Sequence, residues 1–203
     1  MENRSNVEPV ARTVSAFLVP LKSFSSSKER LGDALDVDDR HELMQQLAGG
    51  VLDAAAELDR WVVCDDDAVA RFALDHGAQV VWRNGGLNHS VQGAIDQLRA
   101  EGYQRVVVSH GDLADPGTFA PFVVDGPQMV IAPDRHNDGS NVVSVPTDVG
   151  FEFSYGPGSL HRHVAEAARC GLVTSRLNTL SLDVDTPEDL EIYRQHQRIG
   201  SGS

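Results

Sequence analysis

Between Val106 and Asn141 the sequence contains two apolar runs, each followed by polar residues. The first reads VVVSHGDLADP (106–116) and the second reads MVIAPDRHNDGSN (129–141), with a short helix-like segment between them. Both apolar runs have the length of a buried β-strand. Ligands of an open α/β sheet bind in the crevice at the carboxyl ends of its strands. Asp112, just after the first run, is therefore the leading candidate for a functional residue.

The rest of the chain alternates between apolar runs and segments with helical spacing. Strands are predicted at 14–21, 60–64, 79–82, 105–109, 129–132, 141–145, 151–155, 172–178 and 180–184. Helices are predicted at 39–58, 67–76, 88–101, 159–170 and 185–198. Alternation of strand and helix indicates a parallel sheet covered on both faces. The consecutive strands at 141–145 and 151–155 indicate a small antiparallel insertion.

The predicted fold class is α/β, a single Rossmann-like domain with a mostly parallel sheet. A chain of 203 residues is long enough to bury one sizeable core. We expect the domain to occupy residues 13–198. Residues 1–12 are expected to form a flexible lead, and residues 199–203 a flexible tail.

Composition argues against several classes of function. The formal net charge of −13 argues against a general nucleic-acid binder, because such proteins present basic patches to phosphates. No apolar run approaches the roughly 18 residues of a membrane span, so no membrane association is expected. The N-terminus lacks the apolar core of a signal peptide, and a cytoplasmic protein is expected. Cys64 and Cys170 form no disulfide or metal pattern and are expected to be buried thiols.

Acidic residues follow two of the predicted strands. Asp112 follows the strand at 105–109, while Asp183 and Asp185 end the strand at 180–184. Residues two apart in a strand point to the same face, so both later acids could face the crevice. Magnesium typically binds one or two carboxylates together with substrate phosphates. A magnesium site is one interpretation. The alternative is that Asp185 caps the last helix and Asp112 is a solvated loop acid.

Three basic residues, Lys22, Lys28 and Arg30, flank a serine-rich loop after the first strand. In mononucleotide-binding α/β domains, the loop between the first strand and the first helix holds phosphates. Lysine supplies a point charge for phosphate and arginine a bidentate fork. The chain contains neither a P-loop nor a GxGxxG motif. A solvated basic surface is the alternative interpretation.

Small polar residues form a second candidate binding region. Ser140 and Asn141 end the polar loop, and Gly156 and Ser159 belong to the GPGS sequence that opens a helix. Glycine allows close backbone approach to a ligand, and a helix N-terminus offers free N–H groups to an anion. A turn followed by a helix cap would use the same residues.

The histidines suggest no covalent catalysis. His110 and His136 lie near Asp112 in the sequence pattern, and either could touch a substrate. His161 and His163 point in different directions from one helix, so we expect both at the surface or behind the ligand. No Ser/His/Asp or Cys/His arrangement has supporting context.

Taken together, six motifs resemble the CofC family of guanylyltransferases, whose bacterial branch includes the FbiD-type enzymes. In order, they read VPLK…KERL, GGLN, SHGDL, APDRHNDGSN, YGPGS and LDVDTPEDL. The match extends from about residue 17 to 192, and the combination of APDRH…N, GPGS and LDVDTPEDL is the specific part. The resemblance implies a nucleotidyltransferase fold of the GT-A-like kind, similar to molybdenum-cofactor and sugar-phosphate nucleotidyltransferases.

The resemblance also implies a reaction. Family members transfer GMP from GTP to the phosphate of a three-carbon phospho-acid and release pyrophosphate, an early step toward the deazaflavin coenzyme F420. Their acceptors are 2-phospho-L-lactate, phosphoenolpyruvate and, in some bacteria, 3-phospho-D-glycerate. The expected partners are therefore GTP and such a phospho-acid, with Mg²⁺ as cofactor. A homodimer is a further expectation.

The resemblance assigns roles to residues by their place in the motifs. Asp112 and an acid of LDVD, Asp183 or Asp185, are expected to hold magnesium. The expected catalytic residues facing the triphosphate are Lys22, Lys28 and Arg30. The expected substrate contacts are Ser140, Asn141, Gly156, Ser159, Arg135 and Asn88. The loop at 86–88 and the region of Asp65 are expected near the base.

Two departures from the family pattern are present. Ala114 stands where proline usually follows the acidic motif, and NDGSN stands where GTGTN is common. The second change lies beside the acceptor and therefore bears on acceptor identity more than on the reaction.

Other functions are compatible with the same residues. The alternatives are another nucleotidyltransferase using CTP or UTP, a metal-dependent glycosyltransferase with Asp183 and Asp185 as its acidic pair, and a catalytically inactive nucleotide-binding subunit. The intact acids argue against the last alternative.

Overall fold

The computed structural model describes residues 14–24 and 28–200 as one sheet between two layers of helices. The strands are β1 (Ser15–Pro20), β2 (Asp59–Cys64), β3 (Gln79–Trp82), β4 (Arg105–Ser109), β5 (Gln128–Pro133), β6 (Ser140–Pro146) and β7 (Val173–Arg176). The helices are α1 (Val37–Ala54), α2 (Asp67–Asp75), α3 (Leu87–Ala100), α4 (Ser159–Arg169) and α5 (Pro187–Gly200). The lead predicted at 1–12 lies outside the described residues, and α5 extends two residues into the predicted tail. No described helix combines the length and apolar character needed to cross a bilayer.

The strand order in the sheet is β3-β2-β1-β4-β6-β5-β7. β1 pairs in parallel with β2 on one side and with β4 on the other. The chain therefore adds β2 and β3 on one side of β1 and then places β4 on the opposite side of β1. In open α/β sheets, the ligand crevice lies where the strand order reverses in this way. The prediction of a mostly parallel, Rossmann-like sheet is confirmed.

β6 runs in the opposite direction to its two neighbours. It is antiparallel to both β4 and β5. Because of this reversal, the first residues of β6, Ser140 and Asn141, lie at the edge of the sheet where β4 ends. The His110 N–H donates to the Asn141 carbonyl across this edge (2.9 Å). The reversed strand thus places the polar loop beside the loop that carries Asp112.

The central strands bury both of their faces. On β1, Ala16 and Leu18 pack with residues of α3 and α4, whereas Phe17 and Val19 pack with residues of α1 and α2. All four side chains are fully buried. Burial on both faces explains why β1 is a continuous apolar run without polar alternation.

The strand predicted at 151–155 is wrong, because this segment pairs with no strand in the described part of the chain. Four consecutive backbone N–H groups donate to side chains instead: Glu152 to Glu166, Phe153 to Gln92, Ser154 to His163 and Tyr155 to Asn88. Side-chain acceptors satisfy these amides without a neighbouring strand. The alternating apolar residues reflect burial of every second side chain, a pattern that is the same with or without strand pairing.

The strand predicted at 180–184 is also wrong. Within the described residues this segment contributes only one isolated β-bridge. The helix-like segment between the two apolar runs is reduced to a short 3-10 turn at Ala120–Phe122. Pro116 and Pro121 disfavour a longer helix there, because proline removes a backbone donor and clashes with the preceding turn.

Candidate active site

The acidic residues meet because two loops pair through their backbones. Leu113 forms an antiparallel β-bridge with Asp183. Two hydrogen bonds flank this bridge, from the Val184 N–H to the Asp112 carbonyl (3.0 Å) and from the Ala114 N–H to the Leu182 carbonyl (2.9 Å). The loop after β4 is thereby held against the segment that precedes α5. Asp112, Asp183 and Asp185 consequently lie together at the carboxyl edge of the sheet.

The Lys28 ammonium lies between two of these carboxylates. It donates to Oδ2 of Asp112 and to Oδ1 of Asp185. The side chains of Lys28 and Asp112 are 6% and 17% exposed, whereas that of Asp185 is 45% exposed. The cluster is therefore buried around Asp112 and opens to solvent at Asp185. One of the three basic residues predicted for the triphosphate thus contacts the predicted metal ligands.

Burial and charge shift the pKa values of this cluster in opposite directions. Burial disfavours ionised Asp112, yet Lys28 and His110, whose Nδ1 is 4.0 Å from Oδ1 of Asp112, hold its pKa below the usual value. Burial and the neighbouring Asp112 and Asp185 carboxylates raise the pKa of Asp183. Burial opposes the charge on Lys28, but Asp112 and Asp185 raise its pKa overall. One ammonium thus pairs with two of the three carboxylates, and Asp183 lies beside them without a basic partner among the described ion pairs.

The neighbours of Asp185 cap α5 and leave its carboxylate for Lys28. Oδ2 of Asp189 accepts from the N–H (2.8 Å) and the hydroxyl (2.7 Å) of Thr186, and the Asp189 N–H donates to Oγ1 of Thr186 (3.3 Å). This reciprocal capping satisfies the helix start without the Asp185 side chain. The alternative that Asp185 merely caps the last helix is therefore wrong.

A glycine allows the loop after β4 to approach the end of β1. A Cβ on Gly111 would lie 2.4 Å from Cδ2 of Leu21 and 3.2 Å from Cγ1 of Val19. A side chain at this position would therefore require the end of the Leu21 side chain or the loop itself to move. Gly111 thus allows the loop that carries Asp112 to lie close to β1.

A second polar cluster is fully buried near the start of β6. Ser140, Ser159 and His163 are at most 2% exposed. Nδ1 of His163 is 3.1 Å from Oγ of Ser140, which is 3.4 Å from Oγ of Ser159. Both His161 and His163 were predicted at the surface or behind the ligand. His163 is fully buried, whereas His161 is exposed. The spacing of Ser159 and His163, four residues apart on one helix face, was the signal that could have linked them.

Side chains hold the GPGS loop in place. Asn88 clamps Tyr155 by accepting from its N–H (2.7 Å) and donating to its carbonyl (3.4 Å). Arg162 donates to loop carbonyls, those of Ser154, Gly156 and Pro157. Gly158, at φ 73°, occupies the left-handed region that favours glycine, and its N–H donates to Oδ2 of Asp138 (2.8 Å). The loop is thus shaped before any ligand binds.

Replacing Tyr155 with phenylalanine is expected to stabilise the unliganded protein by about 1 kcal/mol. The Tyr155 hydroxyl is buried, and among the described residues it has no hydrogen-bond partner. Removing a buried unpaired polar group relieves its desolvation cost and keeps the ring packing on Phe153. Urea denaturation at pH 7 measures the change in the free energy of unfolding. A destabilised variant would contradict the unpaired state of this hydroxyl.

Lowering the pH from 7 to 4 is expected to destabilise the protein through His163. Burial, with smaller contributions from Arg162 and His110 and against an opposing one from Glu166, lowers the pKa of His163 to about 4. The unfolded chain takes up a proton near pH 6.5, but the folded chain does so only near pH 4. Stability is therefore lost as the pH falls through this window, by about 3 kcal/mol at most.

Urea denaturation at several pH values, on the wild type and on His163→Leu, checks this expectation. The variant should lose less stability between pH 6.5 and pH 4 than the wild type. Equal losses in the two proteins would show that His163 does not carry the effect.

A small cavity lies at the ends of β1, β2 and β3. Its lining includes Lys22, Asp65, Arg83, Gly85 and Leu87. It therefore joins the predicted basic loop to the regions that the sequence places near the base. Its enclosed volume of about 30 Å³ is too small for a nucleoside, so a nucleoside would require the surrounding loops to move apart.

Not every predicted site residue joins these clusters. Arg135 is paired with α5, with its Nε 2.7 Å from Oδ1 of Asp189 and its Nη2 3.2 Å from Oε2 of Glu188. Arg30 is exposed on the 3-10 turn at Glu29–Leu31. Asn88 is engaged by Tyr155. The roles assigned to these residues stay predictions, as do those of Lys22, Gly156 and the other candidates.

Comparison with known proteins identifies the family. A family model described as guanylyl transferase CofC like matches residues 15–197. The chain belongs to the CofC-like guanylyltransferase family. It is 31% identical to a phosphoenolpyruvate guanylyltransferase from Sphaerobacter thermophilus, covering 92% of this chain and 95% of that protein. It is 33% identical to a protein of the same name from Rubrobacter xylanophilus, covering 85% and 90%.

Solved structures support the nucleotidyltransferase fold. A protein from Desulfovibrio desulfuricans assigned as a nucleotide-diphospho-sugar transferase gives a TM-score of 0.74 at 20% identity, covering 92% of this chain and 88% of that one. A nucleotidyl transferase from Methanothermobacter gives 0.61 at 15% identity, covering 92% and 99%. At such identities the likeness concerns the fold. The α/β nucleotidyltransferase fold and the guanylyltransferase class predicted from the sequence are thus confirmed.

Nucleotidyltransferases of this kind generally use a divalent metal. In the described part of the chain, no three His, Cys, Asp or Glu side chains form a ready-made metal site. The donor set nevertheless suits a hard cation, because Asp112, Asp183 and Asp185 offer carboxylate oxygens. Oδ1 of Asp112 is buried and has no hydrogen-bond partner among the described residues. This buried acceptor is therefore available to a cation.

Proposed function

We propose that this enzyme transfers GMP from GTP to the phosphate of a three-carbon phospho-acid, with release of pyrophosphate. Phosphoenolpyruvate is the favoured acceptor, with 2-phospho-L-lactate and 3-phospho-D-glycerate as the other candidates. The names of the relatives support this choice. The reaction would serve the synthesis of coenzyme F420, as the family implies.

One observation carries the proposal. The acid cluster with Lys28 lies beside the first residues of β6, where the Asn141 amide donates to Oδ1 of Asp183 (3.4 Å) and Ser140 precedes it in the chain. A cation site beside a buried donor site suits the joining of two phosphates. The loops that carry Asp65 and Leu87, on the two sides of the small cavity, would then flank the nucleoside.

The chemistry needs alignment and charge neutralisation. An oxygen of the acceptor phosphate attacks the α-phosphorus of GTP, and the bond from that phosphorus to the bridging oxygen of pyrophosphate breaks. The acceptor phosphate is mostly ionised at pH 7, so no general base is needed. Mg²⁺, held by Asp112 with Asp183 or Asp185, would supply charge neutralisation. Lys28 would place its ammonium beside the reacting phosphates, and Ser140 and Ser159 would orient the acceptor.

The test is an activity panel. Purified protein with MgCl₂ receives GTP, ATP, CTP or UTP together with each of the three acceptors, and pyrophosphate release is measured. The product is an unstable diphospho-linked guanosine compound, so the next enzyme of the route is coupled to the assay. We expect GTP with phosphoenolpyruvate to give the highest rate. Equal rates with GTP and CTP would contradict the base assignment, and GTP binding without turnover would favour an inactive nucleotide-binding subunit.

The remaining expectations follow from these substrates. GTP and phospho-acids are metabolites of the cytoplasm, which supports a cytoplasmic location. The homodimer expected from the sequence stays a prediction, for which sedimentation of the purified protein is the direct test.

A further inference from the structure

A buried side-chain amide lies against the segment that carries Asp183 to the acids. Asn141 is 1% exposed and is the second residue of β6. Its Nδ2 donates to the Leu180 carbonyl (3.0 Å) and to Oδ1 of Asp183 (3.4 Å). A side-chain amide carries two N–H hydrogens, and these two contacts use both of them. Asn141 therefore has no hydrogen left to donate to an anionic acceptor.

The orientation of the Asn141 amide follows from its two partners. The Leu180 carbonyl and the Asp183 carboxylate are both hydrogen-bond acceptors, so the nitrogen must face them. With the amide turned over, its oxygen would lie against two other oxygens. Oδ1 of Asn141 is buried and has no hydrogen-bond partner among the described residues. An oxygen of this kind repels a phosphate or a carboxylate.

The segment between β7 and α5 crosses the carboxyl edge of the sheet. β5 and β6 separate β7 from β4, yet Asp183 forms its bridge with the loop after β4. The segment leaves the sheet at Leu177, whose N–H still pairs with β5 (2.9 Å). Between Leu177 and the bridge, the Leu180 carbonyl accepts from Asn141 on β6. Asn141 thus fastens the crossing segment where it passes the strand between β4 and β5.

Leu180 adopts a backbone conformation that leucine disfavours. Its φ is 60°, in the left-handed region where a Cβ approaches the following carbonyl oxygen. Such a conformation persists only where the surrounding contacts hold it. The Leu180 side chain packs against the core, and its carbonyl is bonded to Asn141. Asn141 therefore holds the strained turn that precedes Asp183 as well as the carboxylate itself.

Asp183 needs such a contact because like charges lie beside it. The carboxylates of Asp112 and Asp185 oppose its negative charge. Lys28 pairs with those two acids, and no ion pair of the described residues includes Asp183. The neutral amide of Asn141 is the side-chain donor that holds Asp183 near the other two acids.

We propose that Asn141 is a positioning residue for Asp183, the metal ligand of the proposed site, and does not contact the phospho-acid. This inference rests on the proposed function, from which the metal-binding role of Asp183 is taken. With the amide in place, the Asp183 carboxylate stays beside Asp112 and Asp185. Without the amide, Leu180 can leave its disfavoured conformation and move Asp183 away from the other acids.

Binding of Mn²⁺ alone to the full chain tests this role without turnover. Electron paramagnetic resonance follows the loss of the free-ion signal. Asn141→Ala removes both hydrogen bonds and leaves room for a water at the Leu180 carbonyl. We expect the dissociation constant for Mn²⁺ to rise about tenfold, the size of one hydrogen bond to a charged group. KM for phosphoenolpyruvate at saturating Mg²⁺ should change by less than about twofold.

Two further proteins separate positioning from a general structural role. In the Asp183→Asn background, Asn141→Ala should weaken Mn²⁺ binding by less than about twofold, because Asn141 acts through Asp183. Asn178→Ala removes an exposed asparagine from the crossing segment and is the matched control. It should leave the Mn²⁺ dissociation constant and KM for phosphoenolpyruvate unchanged. Thermal denaturation establishes that each variant is folded.

Nitrogen-15 NMR of the wild type tests the same role without any variant. Mg²⁺ alone should shift the resonance of the Asn141 side-chain amide, whereas phosphoenolpyruvate alone should leave it in place. The opposite pattern would overturn the proposal.

The binding and kinetic measurements can also contradict the proposal. It is overturned if the wild type binds no Mn²⁺, if Asn141→Ala binds Mn²⁺ as the wild type does, or if its KM for phosphoenolpyruvate rises tenfold at saturating Mg²⁺. An undiminished effect in the Asp183→Asn background would have the same consequence. Failure of the proposed function looks different, because the wild type would then release no pyrophosphate with GTP and any of the three acceptors.

Discussion

Asp112→Asn is expected to lower kcat about a thousandfold with little change in KM for phosphoenolpyruvate, the size seen when a major stabiliser of transition-state charge is removed. The Asp112 side chain is 17% exposed, against 45% for Asp185, and its Oδ1 has no hydrogen-bond partner among the described residues. Asparagine preserves the shape but removes the negative charge that would hold the cation. The loss should therefore concern turnover far more than acceptor binding.

Pyrophosphate release at saturating GTP and phosphoenolpyruvate measures this effect, and a Mg²⁺ titration should show weaker metal dependence in the variant. Asp115→Asn removes a neighbouring exposed charge from the same loop and is the matched control. Denaturation curves establish that the variant is folded. Turnover within about threefold of wild type would rule out Asp112 as a metal ligand.

Lys28→Met is expected to have two opposite effects. Turnover should fall about a hundredfold, because a positive charge is lost beside the reacting phosphates. In the absence of nucleotide, however, Mg²⁺ should bind roughly tenfold more tightly, because the ammonium no longer competes for the Asp112 and Asp185 oxygens. If the proposed metal site exists, two cations compete there for one set of carboxylates, and methionine removes one of them while keeping a similar side-chain length.

Pyrophosphate release measures turnover, and isothermal titration with MgCl₂ measures the dissociation constant for Mg²⁺. Arg99→Met, at the exposed end of α3, removes a charge of the same sign far from the acids and serves as control. Unchanged or weaker Mg²⁺ binding in Lys28→Met would show that the ammonium and the metal do not share these carboxylates.

Most strands could be predicted because their pattern depends on local burial. β3 (Gln79–Trp82) and β4 (Arg105–Ser109) match the predicted ranges, and the other strands of the parallel core differ by one or two residues at their ends. Strands buried on both faces are continuous apolar runs that end at polar residues. The two wrong strands, at 151–155 and 180–184, are apolar for a different reason. They pack against the core while their backbone groups bond to side chains or to a single bridge partner.

The acids could be predicted as a group, but their partners could not. The position of Asp112 after a strand indicated a ligand crevice, and the LDVD sequence supplied two more carboxylates. The contact between Lys28 and these acids joins residues 84 and 157 positions apart, and no local spacing encodes it. Arg135 was predicted to contact the substrate because of its motif, but its guanidinium forms ion pairs with acidic residues of α5. The buried position of Cys64 was predicted correctly, whereas Cys170 is only partly buried.

The sequence by itself determined the α/β class, the family and the identity of the acids, because hydrophobic periodicity and short motifs are local properties of the chain. Only the tertiary structure decided that β6 is antiparallel to β4, an arrangement that brings Ser140 and Asn141 to the edge of the sheet where Asp112 lies. It also decided that the Ser154 N–H donates to the His163 ring and that Thr186 and Asp189, rather than Asp185, cap the start of α5. These contacts depend on how loops from distant parts of the chain pack together. Asp112 therefore was visible in the sequence as a candidate, but its surroundings arise from the fold.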